Sequence, residues 1–155
     1  MPLVKYMFRR ARPDDADAIS ALAQRSKAHW GYDEEFLSAC RAELTWSGDD
    51  IAHRHCVVAE RAGELCGFFV LAGTDERGDL TDMFVEPRLI GTGLGGDLMR
   101  LALRHARDLG YATLGIDADP YAVGFYEHFG ACVVSQTPSG SIPGRTLPPL
   151  EIRVP

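Results

Sequence analysis

The sequence has no apolar run long enough to cross a bilayer and no excess of positive charge. Its longest apolar stretches, such as Cys66–Ala72, are far shorter than the roughly 20 residues that a membrane-spanning helix needs. The start of the chain also lacks the apolar core of a signal peptide. A formal net charge of -6 disfavours a nucleic-acid-binding surface. We therefore expect a cytoplasmic protein with neither a nucleic acid nor a membrane as its partner.

Cysteines are few, and their spacing matches no metal site or redox motif. The four cysteines are Cys40, Cys56, Cys66 and Cys132. Two of them flank a predicted hairpin turn, but buried thiols are the expected state in a reducing cytosol. His53 and His55 lie close to Cys56 in sequence, yet their spacing suits no common zinc site. We therefore expect no metal.

The rest of the composition is that of an ordinary globular domain. Hydrophobic residues make up 46% and charged residues 25% of the 155 residues, a mixture that can fill a core. The length fits one compact domain rather than two. We expect a single domain over residues 1–155.

Hydrophobic patterns predict elements in the order β-α-α-β-β-β-α-β-α-β-β, a mixed α/β layer structure. The predicted strands are Val4–Arg10, Cys56–Glu60, Leu65–Leu71, Leu80–Val85, Ala112–Ile116, Ala131–Val134 and Leu150–Val154. The first helix opens at Pro13, and the second is capped by Asp33 and reaches Leu44. A third helix begins at the glycine-rich stretch and ends at Gly110, and a short one covers Ala122–Phe129.

One stretch carries a motif with a clear physical use. Gly91-Thr92-Gly93-Leu94-Gly95-Gly96 satisfies G-x-G-x-x-G between a predicted strand and a predicted helix. Glycines allow backbone N–H groups to point at phosphate oxygens, and the start of a helix favours an anion. The motif therefore predicts a backbone site for a pyrophosphate.

A nicotinamide dinucleotide is one candidate for the ligand that contains this pyrophosphate. Asp117 lies about 20 residues past the last glycine, where a ribose-binding acid is expected. Against this, Glu86–Ile90 separate the strand from the first glycine, a hairpin precedes the motif, and too little chain follows for a second mononucleotide half. A lone G-x-G-x-x-G is a weak signal, so a nicotinamide-dependent oxidoreductase is the remote alternative.

Two ordered motifs around the glycines point elsewhere. Val85-Glu86-Pro87 precedes Gly91–Gly95, and a second motif runs from Asp119 to Ala131 as DPYAVGFYEHFGA. These resemble the V-x-P, [QR]-G-x-G-x-[GA] and N-x-x-A-x-x-F-Y-x-x-x-G-[FA] patterns of the GNAT superfamily of acyl-CoA-dependent N-acyltransferases. The resemblance spans nearly the whole chain. It implies a single mixed, mostly antiparallel sheet of about seven strands with helices on both faces.

Three positions depart from the family pattern. Ile90 stands where Gln or Arg is usual, Thr92 where Lys or Arg is frequent, and Asp119 in place of Asn. The N–H groups of Gly91–Gly96 remain, so the resemblance implies a pyrophosphate site with less positive charge. Arg88 and the Thr92 hydroxyl are the candidates to compensate for that loss.

The resemblance implies an N-acetyltransferase that passes an acetyl group from acetyl-CoA directly to the primary amine of a small molecule. The implied cofactor-binding residues are Met83, Phe84, Val85, Gly91, Thr92, Gly93, Leu94, Gly95, Gly96, Asp119 and Tyr126. Tyr126 is also the implied acid that protonates the leaving thiolate. Its alternative role is to pack a helix face beside Phe125 and Phe129.

The general base is the least defined role. Asp82 shares a predicted strand face with Leu80 and Phe84, and a carboxyl group between apolar neighbours near a cleft can serve as a base. A solvated strand carboxylate, with a water chain as the proton acceptor, is the alternative.

The acceptor side is implied by two segments. Arg25–Asp33 stands where the family places its substrate-lining loop, with Lys27 as a polar contact and with His29, Trp30 and Tyr32 as acceptor-binding residues. Trp30 as a plug in the core is equally consistent. Pro138–Arg145 is expected to cover the same cleft, with Arg145 meeting a carboxylate, or else to form an ordered tail or a dimer contact.

Three alternatives stay open at this point. The acceptor can be a protein N-terminus or lysine, the protein can be a non-catalytic acyl-CoA-binding module, and the remote oxidoreductase hypothesis predicts NAD binding. Relatives that dimerise also set the expectation of a homodimer.

Overall fold

The computed structural model describes residues 6–134, 137–138, 146–147 and 149–155. Its strands are β1 Met7–Arg10, β2 His55–Arg61, β3 Glu64–Thr74, β4 Arg77–Val85, β5 Thr113–Asp117, β6 Cys132–Val133, β7 Thr137–Pro138, β8 Thr146–Leu147 and β9 Pro149–Arg153. Its α-helices are α1 Ala16–Ala28, α2 Glu34–Cys40, α3 Gly48–His53, α4 Leu94–Asp108 and α5 Val123–His128. Short 3-10 turns cover Pro13–Asp15, Pro87–Leu89 and Pro120–Ala122.

Seven of these strands form one mixed sheet in the order β1-β2-β3-β4-β5-β9-β6. β1 pairs antiparallel with β2, and β9 pairs antiparallel with both β5 and β6. β4 and β5 are parallel, with Arg77 opposite Thr113 and Leu80 opposite Ile116. The predicted seven-stranded mixed sheet is confirmed, and β7 with β8 adds a separate two-stranded sheet.

The chain divides into two compact units. The first comprises residues up to Val70 together with Asp82–Arg100. The second comprises Leu71–Thr81 and the residues from Leu101 onward. The glycine-rich stretch, the end of β4 and helices α1 to α3 therefore belong to the first unit, whereas β5 and α5 belong to the second.

The first unit has helices on both faces of its strands. Phe68 and Val70 of β3 are fully buried in one cluster with Ile19 of α1. Gly67 faces the other way, because a Cβ atom placed on it would lie 2.9 Å from Cδ1 of Leu98 in α4. Successive side chains of a strand point to opposite faces, so α1 and α4 cover opposite faces of β3.

The second unit is built on the β5–β9 pair. Five residue pairs join these strands, from Thr113 opposite Arg153 to Asp117 opposite Pro149. Leu114 of β5 and its partner Ile152 of β9 are buried. Burial of such apolar side chains is the main source of stability for the β5–β9 pair.

The sequence patterns missed the helix α3 and displaced several boundaries, among them the ends of α2 and β3 and the start of β4. α3 begins at a capping box in which Ser47 and Asp50 exchange side-chain and backbone hydrogen bonds of 2.9 and 3.1 Å. α2 ends at Cys40 rather than at Leu44, and Leu44 lies after the helix but is buried. β4 begins at Arg77 rather than at Leu80, because the β3–β4 turn is tight and Asp75 adopts a positive φ of 55°.

The prediction that the first strand begins at Val4 falls partly outside the described residues, which show β1 from Met7. Across the described ranges, no helix is both long enough and apolar enough to span a membrane.

Candidate active site

The glycine turn, defined here as Gly91–Gly96, follows the 3-10 turn after β4 and includes the first three residues of α4. Gly91 has a φ of 84° and Gly93 a φ of 95°, values that residues with a side chain rarely adopt. A Cβ atom on either glycine would meet no atom within 4 Å. Glycine is therefore required here by backbone conformation rather than by crowding, and the turn faces open space.

The first turn of α4 presents N–H groups at this same point. The first helical hydrogen bond that spans four residues runs from the Asp97 N–H to the Gly93 carbonyl at 3.1 Å. The N–H groups of Leu94, Gly95 and Gly96 precede that bond and have no acceptor within a regular helix. α4 is 15 residues long, so its dipole adds a partial positive charge at this end. The arrangement suits an anion such as a diphosphate.

The two groups expected to add positive character to this turn are both engaged. The Thr92 hydroxyl donates a 2.5 Å hydrogen bond to the Leu89 carbonyl. Arg88 forms an ion pair with Glu64 at 3.1 Å, and both side chains are largely exposed. Because an exposed ion pair contributes little free energy, Arg88 can exchange its partner at small cost, whereas Thr92 is held by the turn.

β4 continues past its ladder with β5. The ladder joins Arg77–Leu80 to β5, and the strand then extends to Val85. Directly after the strand, the Glu86 N–H donates a 2.8 Å hydrogen bond to the Cys66 carbonyl of β3. Backbone polar groups alternate between the two edges of a strand, so those of Val85 and Met83 point away from β3.

Phe84 agrees with this alternation. A Cβ atom on Gly67 would lie 3.0 Å from the Phe84 carbonyl oxygen, so that carbonyl points toward β3. The Phe84 ring packs against Phe68 of the core with 5.7 Å between ring centroids. The end of β4 thus offers one backbone edge to an extended ligand, while Phe84 anchors the strand.

Asp82 lies on the same face of β4 as Phe84, because the two residues are two positions apart. Its side chain is half-buried. Burial and, to a smaller extent, the Asp82 charge raise the pKa of the Cys56 thiol to about 12. Asp82 is therefore close to the buried core of the first unit and is not a fully solvated strand carboxylate.

Cys56 and Cys66 do not have the surroundings of nucleophiles. All four are free, and all but Cys132 are buried. Burial raises the pKa of both the Cys56 and the Cys66 thiols, which keeps them protonated at neutral pH. Among the described residues, no group of three or more histidine, cysteine or acidic side chains is arranged to hold a metal ion.

Tyr126 lies in the short helix α5 of the second unit and is buried. The Tyr126 and Phe125 rings pack edge to face with their centroids 5.1 Å apart, and the centroids of Phe125 and Phe129 are 5.3 Å apart. Its carbonyl accepts hydrogen bonds from the N–H groups of Phe129 and Ala131. The aromatic packing that the sequence analysis gave as the alternative to a catalytic role is thus present, and it fixes the orientation of the phenol.

Asp119 precedes the 3-10 turn that leads into α5. It is half-buried, and its carboxylate accepts a 3.1 Å hydrogen bond from the Tyr121 hydroxyl. An asparagine at this position would offer an N–H donor as well, which a carboxylate cannot supply.

The acceptor segment, Arg25–Asp33, begins in the last turn of α1. His29 and Trp30 pack edge to face with 5.0 Å between their ring centroids. Trp30 is 40% exposed, whereas Trp46 is 5% exposed and packs edge-on against Phe68. The hypothesis of Trp30 as a core plug is therefore wrong, and the buried tryptophan is Trp46.

An aromatic cluster that the sequence patterns did not predict completes this segment. Tyr32 stacks on Phe36 of α2 with ring centroids 4.2 Å apart. The Lys27 ammonium lies 5.3 Å from the centre of the Tyr32 ring and 5.5 Å from that of Phe36. Such cation–π contacts help to hold a lysine that is only 8% exposed. Arg145, the remaining predicted acceptor residue, lies outside the described residues, as do residues 139–144 next to it.

The family model for the acetyltransferase (GNAT) family matches residues 16–131. The chain therefore belongs to the GNAT acetyltransferase family and is an acyltransferase enzyme. This membership argues against the oxidoreductase and non-catalytic alternatives that the glycine motif left open. No curated protein matches the chain.

Solved structures share the fold at low identity. The PaiA N-acetyltransferase from Thermoplasma acidophilum in complex with coenzyme A is 18% identical, with a TM-score of 0.80 over 96% of this chain and 99% of that one. The ribosomal-protein-S18-alanine N-acetyltransferase from Escherichia coli is 15% identical, with a TM-score of 0.72 over 97% and 94%. The YncA protein from Salmonella typhimurium with its cofactor acetyl-CoA is 18% identical, with a TM-score of 0.70 over 97% and 95%.

Proposed function

We propose that this enzyme transfers an acetyl group from acetyl-CoA directly to the primary amine of a small molecule. The glycine turn carries the proposal: it faces open space, precedes the N–H groups of α4, and follows a strand end with a backbone edge pointing away from β3. A diphosphate joined to an amide-containing arm requires such an anion site next to such a backbone edge. Similar structures with bound coenzyme A or acetyl-CoA support the same choice.

Within this proposal, the N–H groups of Gly91 and of Gly93–Gly96, including that of Leu94, bind the diphosphate. The Thr92 N–H donates a 3.2 Å hydrogen bond to the Leu89 carbonyl, so it contributes only by exchanging this partner for a phosphate oxygen. The backbone groups of Met83 and Val85 bind the amides of the pantetheine arm, and Phe84 keeps the strand in place through its ring. Asp119 and Tyr126 contribute further contacts, which are assigned from the second sequence motif.

Acetyl-CoA supplies the acetyl group as an activated thioester. Tyr126 donates its phenolic proton to the sulfur that leaves as the new C–N bond forms, because a thiol is a better leaving group than a thiolate. Asp82, directly or through a water chain, accepts the proton that the attacking amine must lose. The buried thiols of Cys56 and Cys66 support direct transfer rather than a cysteine-bound acyl group.

The acceptor amine is assigned to the surface of the acceptor segment. His29, Trp30 and Tyr32 supply an aromatic wall on which the apolar part of an amine can pack. The net charge of -6 favours the approach of a cationic amine, although the effect is modest.

A protein N-terminus is the second candidate acceptor. It is favoured by the similarity in fold to a ribosomal-protein-alanine N-acetyltransferase. The two candidates differ in whether a small amine or the N-terminus of a peptide is acetylated.

An acceptor screen tests the proposal. Thiol release from acetyl-CoA is followed with a panel of small amines and with peptides that carry a free N-terminal alanine or an internal lysine. The proposal predicts that small amines are acetylated with the higher kcat/KM. Acetylation of the peptides alone would favour the second candidate, and failure to bind CoA would remove the proposed cofactor.

The acceptor wall has its own test. Trp30→Ala is expected to raise the KM for the amine several-fold, about what one buried aromatic contact contributes, while the Kd for CoA stays the same. Trp30→Phe serves as the conservative variant that keeps most of the contact.

A further inference from the structure

Arg25 and Glu86 form a two-point ion pair in the first unit. Arg25 Nη2 lies 2.7 Å from Glu86 Oε2, and Arg25 Nε lies 3.2 Å from Glu86 Oε1. The Glu86 side chain is 16% exposed and that of Arg25 is 52% exposed. Two parallel hydrogen bonds between a guanidinium and a partly buried carboxylate fix both the relative orientation of the two groups and the distance between them.

The position of Glu86 gives this pair its significance. Glu86 follows Val85 directly, and its own N–H is hydrogen-bonded to the Cys66 carbonyl at 2.8 Å. Glu86 is therefore attached at two points: its backbone N–H is hydrogen-bonded to β3, and its side chain is paired with Arg25 of α1. Both attachments are on the residue that follows Val85. They therefore fix the direction in which the backbone N–H and C=O groups of Val85 point.

Arg25–Glu86 is distinguished by its place in the chain. Arg88–Glu64, Arg77–Glu151 and Arg100–Asp97 each have a carboxylate at least 36% exposed. None of these three carboxylates immediately follows the strand end. Arg9 forms a two-point pair with Asp15, whose side chain is 12% exposed, but neither residue is near β4 in sequence. Arg25 also lies in the last turn of α1 and is the first residue of the acceptor segment.

We propose that Arg25 and Glu86 are positioning residues that fix the carboxyl end of β4 for acyl-CoA binding and connect it to the acceptor segment. This inference rests on the proposed function, because it assigns the pair a role at the same cofactor strand. Neither residue is required to touch the reacting atoms.

Direct calorimetric titration with CoA tests the pair. Glu86→Gln and Arg25→Ala are each expected to raise the Kd for CoA about tenfold, the ratio that corresponds to the loss of one charge-assisted hydrogen bond. Arg25→Lys keeps the charge but lacks the planar fork, so its Kd should fall between those of wild type and Arg25→Ala. Exchanging the partners in Arg25→Glu/Glu86→Arg should restore part of the affinity.

Two further measurements separate positioning from general stability. Glu151→Gln removes the partner of Arg77 in the second unit and should leave the Kd for CoA unchanged. In Glu86→Gln the KM for acetyl-CoA should rise while kcat at saturation stays within about twofold of wild type.

The inference is overturned if Glu86→Gln and Arg25→Ala bind CoA as wild type does, or if Glu151→Gln loses as much affinity as they do. Failure of the proposed function is a different result, because wild type itself would then not bind CoA.

Discussion

The glycine turn and helix α5 offer two different kinds of chemistry. The turn presents main-chain N–H groups around Gly91 and Gly93, which both have a positive φ. α5 presents a single phenol, that of Tyr126, held in place by aromatic neighbours. A backbone site depends on conformation, whereas a side-chain site depends on one functional group. We therefore expect cofactor affinity and turnover to be separable by mutation.

The largest expected effect is on turnover. Tyr126→Phe removes only the hydroxyl and should lower kcat by about 10²-fold or more, as loss of a general acid does. The Kd for CoA should stay nearly constant, because the ring and its packing remain. Steady-state kinetics and calorimetry on the same preparation make the comparison.

Tyr111→Phe is the matched control, since it makes the same change in the same unit at a ring that packs beside Gly78. If both variants retain wild-type kcat, Tyr126 is not the acid.

The second effect is on affinity. Gly93→Ala forces a side chain into a positive φ and should weaken CoA binding about tenfold, because distortion costs about 1–2 kcal/mol at such a position. The thermal midpoint should also fall slightly, and kcat at saturation should change little.

Gly63→Ala controls for strain alone. Gly63 has a φ of 81° and open space around its Cβ position, but it lies in the β2–β3 turn. It should lose similar stability without losing affinity. Equal losses of affinity in both variants would show that the glycine turn has no special role.

A smaller effect concerns the missing positive charge at the turn. If Arg88 leaves Glu64 to meet a phosphate, Arg88→Ala should weaken CoA binding by a few-fold, and Glu64→Gln should strengthen it by a similar factor. Both changes should shrink as salt is raised. Changes of the same sign in the two variants would contradict this exchange.

The smallest functional effect is expected at Cys56, where turnover should not depend on the thiol. The pKa of Cys56 is raised to about 12 in the folded protein, so the unfolded state loses the thiol proton first as pH rises. Its stabilising contribution is complete below about pH 8.5 and is lost as pH rises toward 12.

Urea unfolding across that range should therefore show a shallower fall in the free energy of unfolding for Cys56→Ala than for wild type. Loss of turnover in Cys56→Ala with retained CoA affinity would contradict direct transfer.

The parts that sequence predicted well are those with strong local signals. The sequence predicts a hairpin turn at Arg61–Glu64, between the strands Cys56–Glu60 and Leu65–Leu71, and Ala62 and Gly63 there adopt positive φ values. The glycine turn was located for the same reason, since its conformation is a local property of glycine. Asp33 was predicted as a cap, and it accepts a 2.8 Å hydrogen bond from the Phe36 N–H.

The parts that sequence could not predict depend on residues distant along the chain. Trp30 and Trp46 are equally suited to a core by composition, and only packing against Phe68 separates them. The pairing of Arg25 with Glu86 likewise joins two segments far apart in sequence. α3 was missed because six residues with one buried side chain give little periodic signal.

The central claim is that the amides of the glycine turn bind the diphosphate of an acyl-CoA. Titration of ¹⁵N-labelled protein with CoA, followed through backbone amide resonances, tests it most directly. We expect the amides of Gly93–Gly96 to show the largest chemical-shift changes, with smaller ones at Met83 and Val85. Saturable binding that leaves the Gly93–Gly96 amides unmoved would contradict the account.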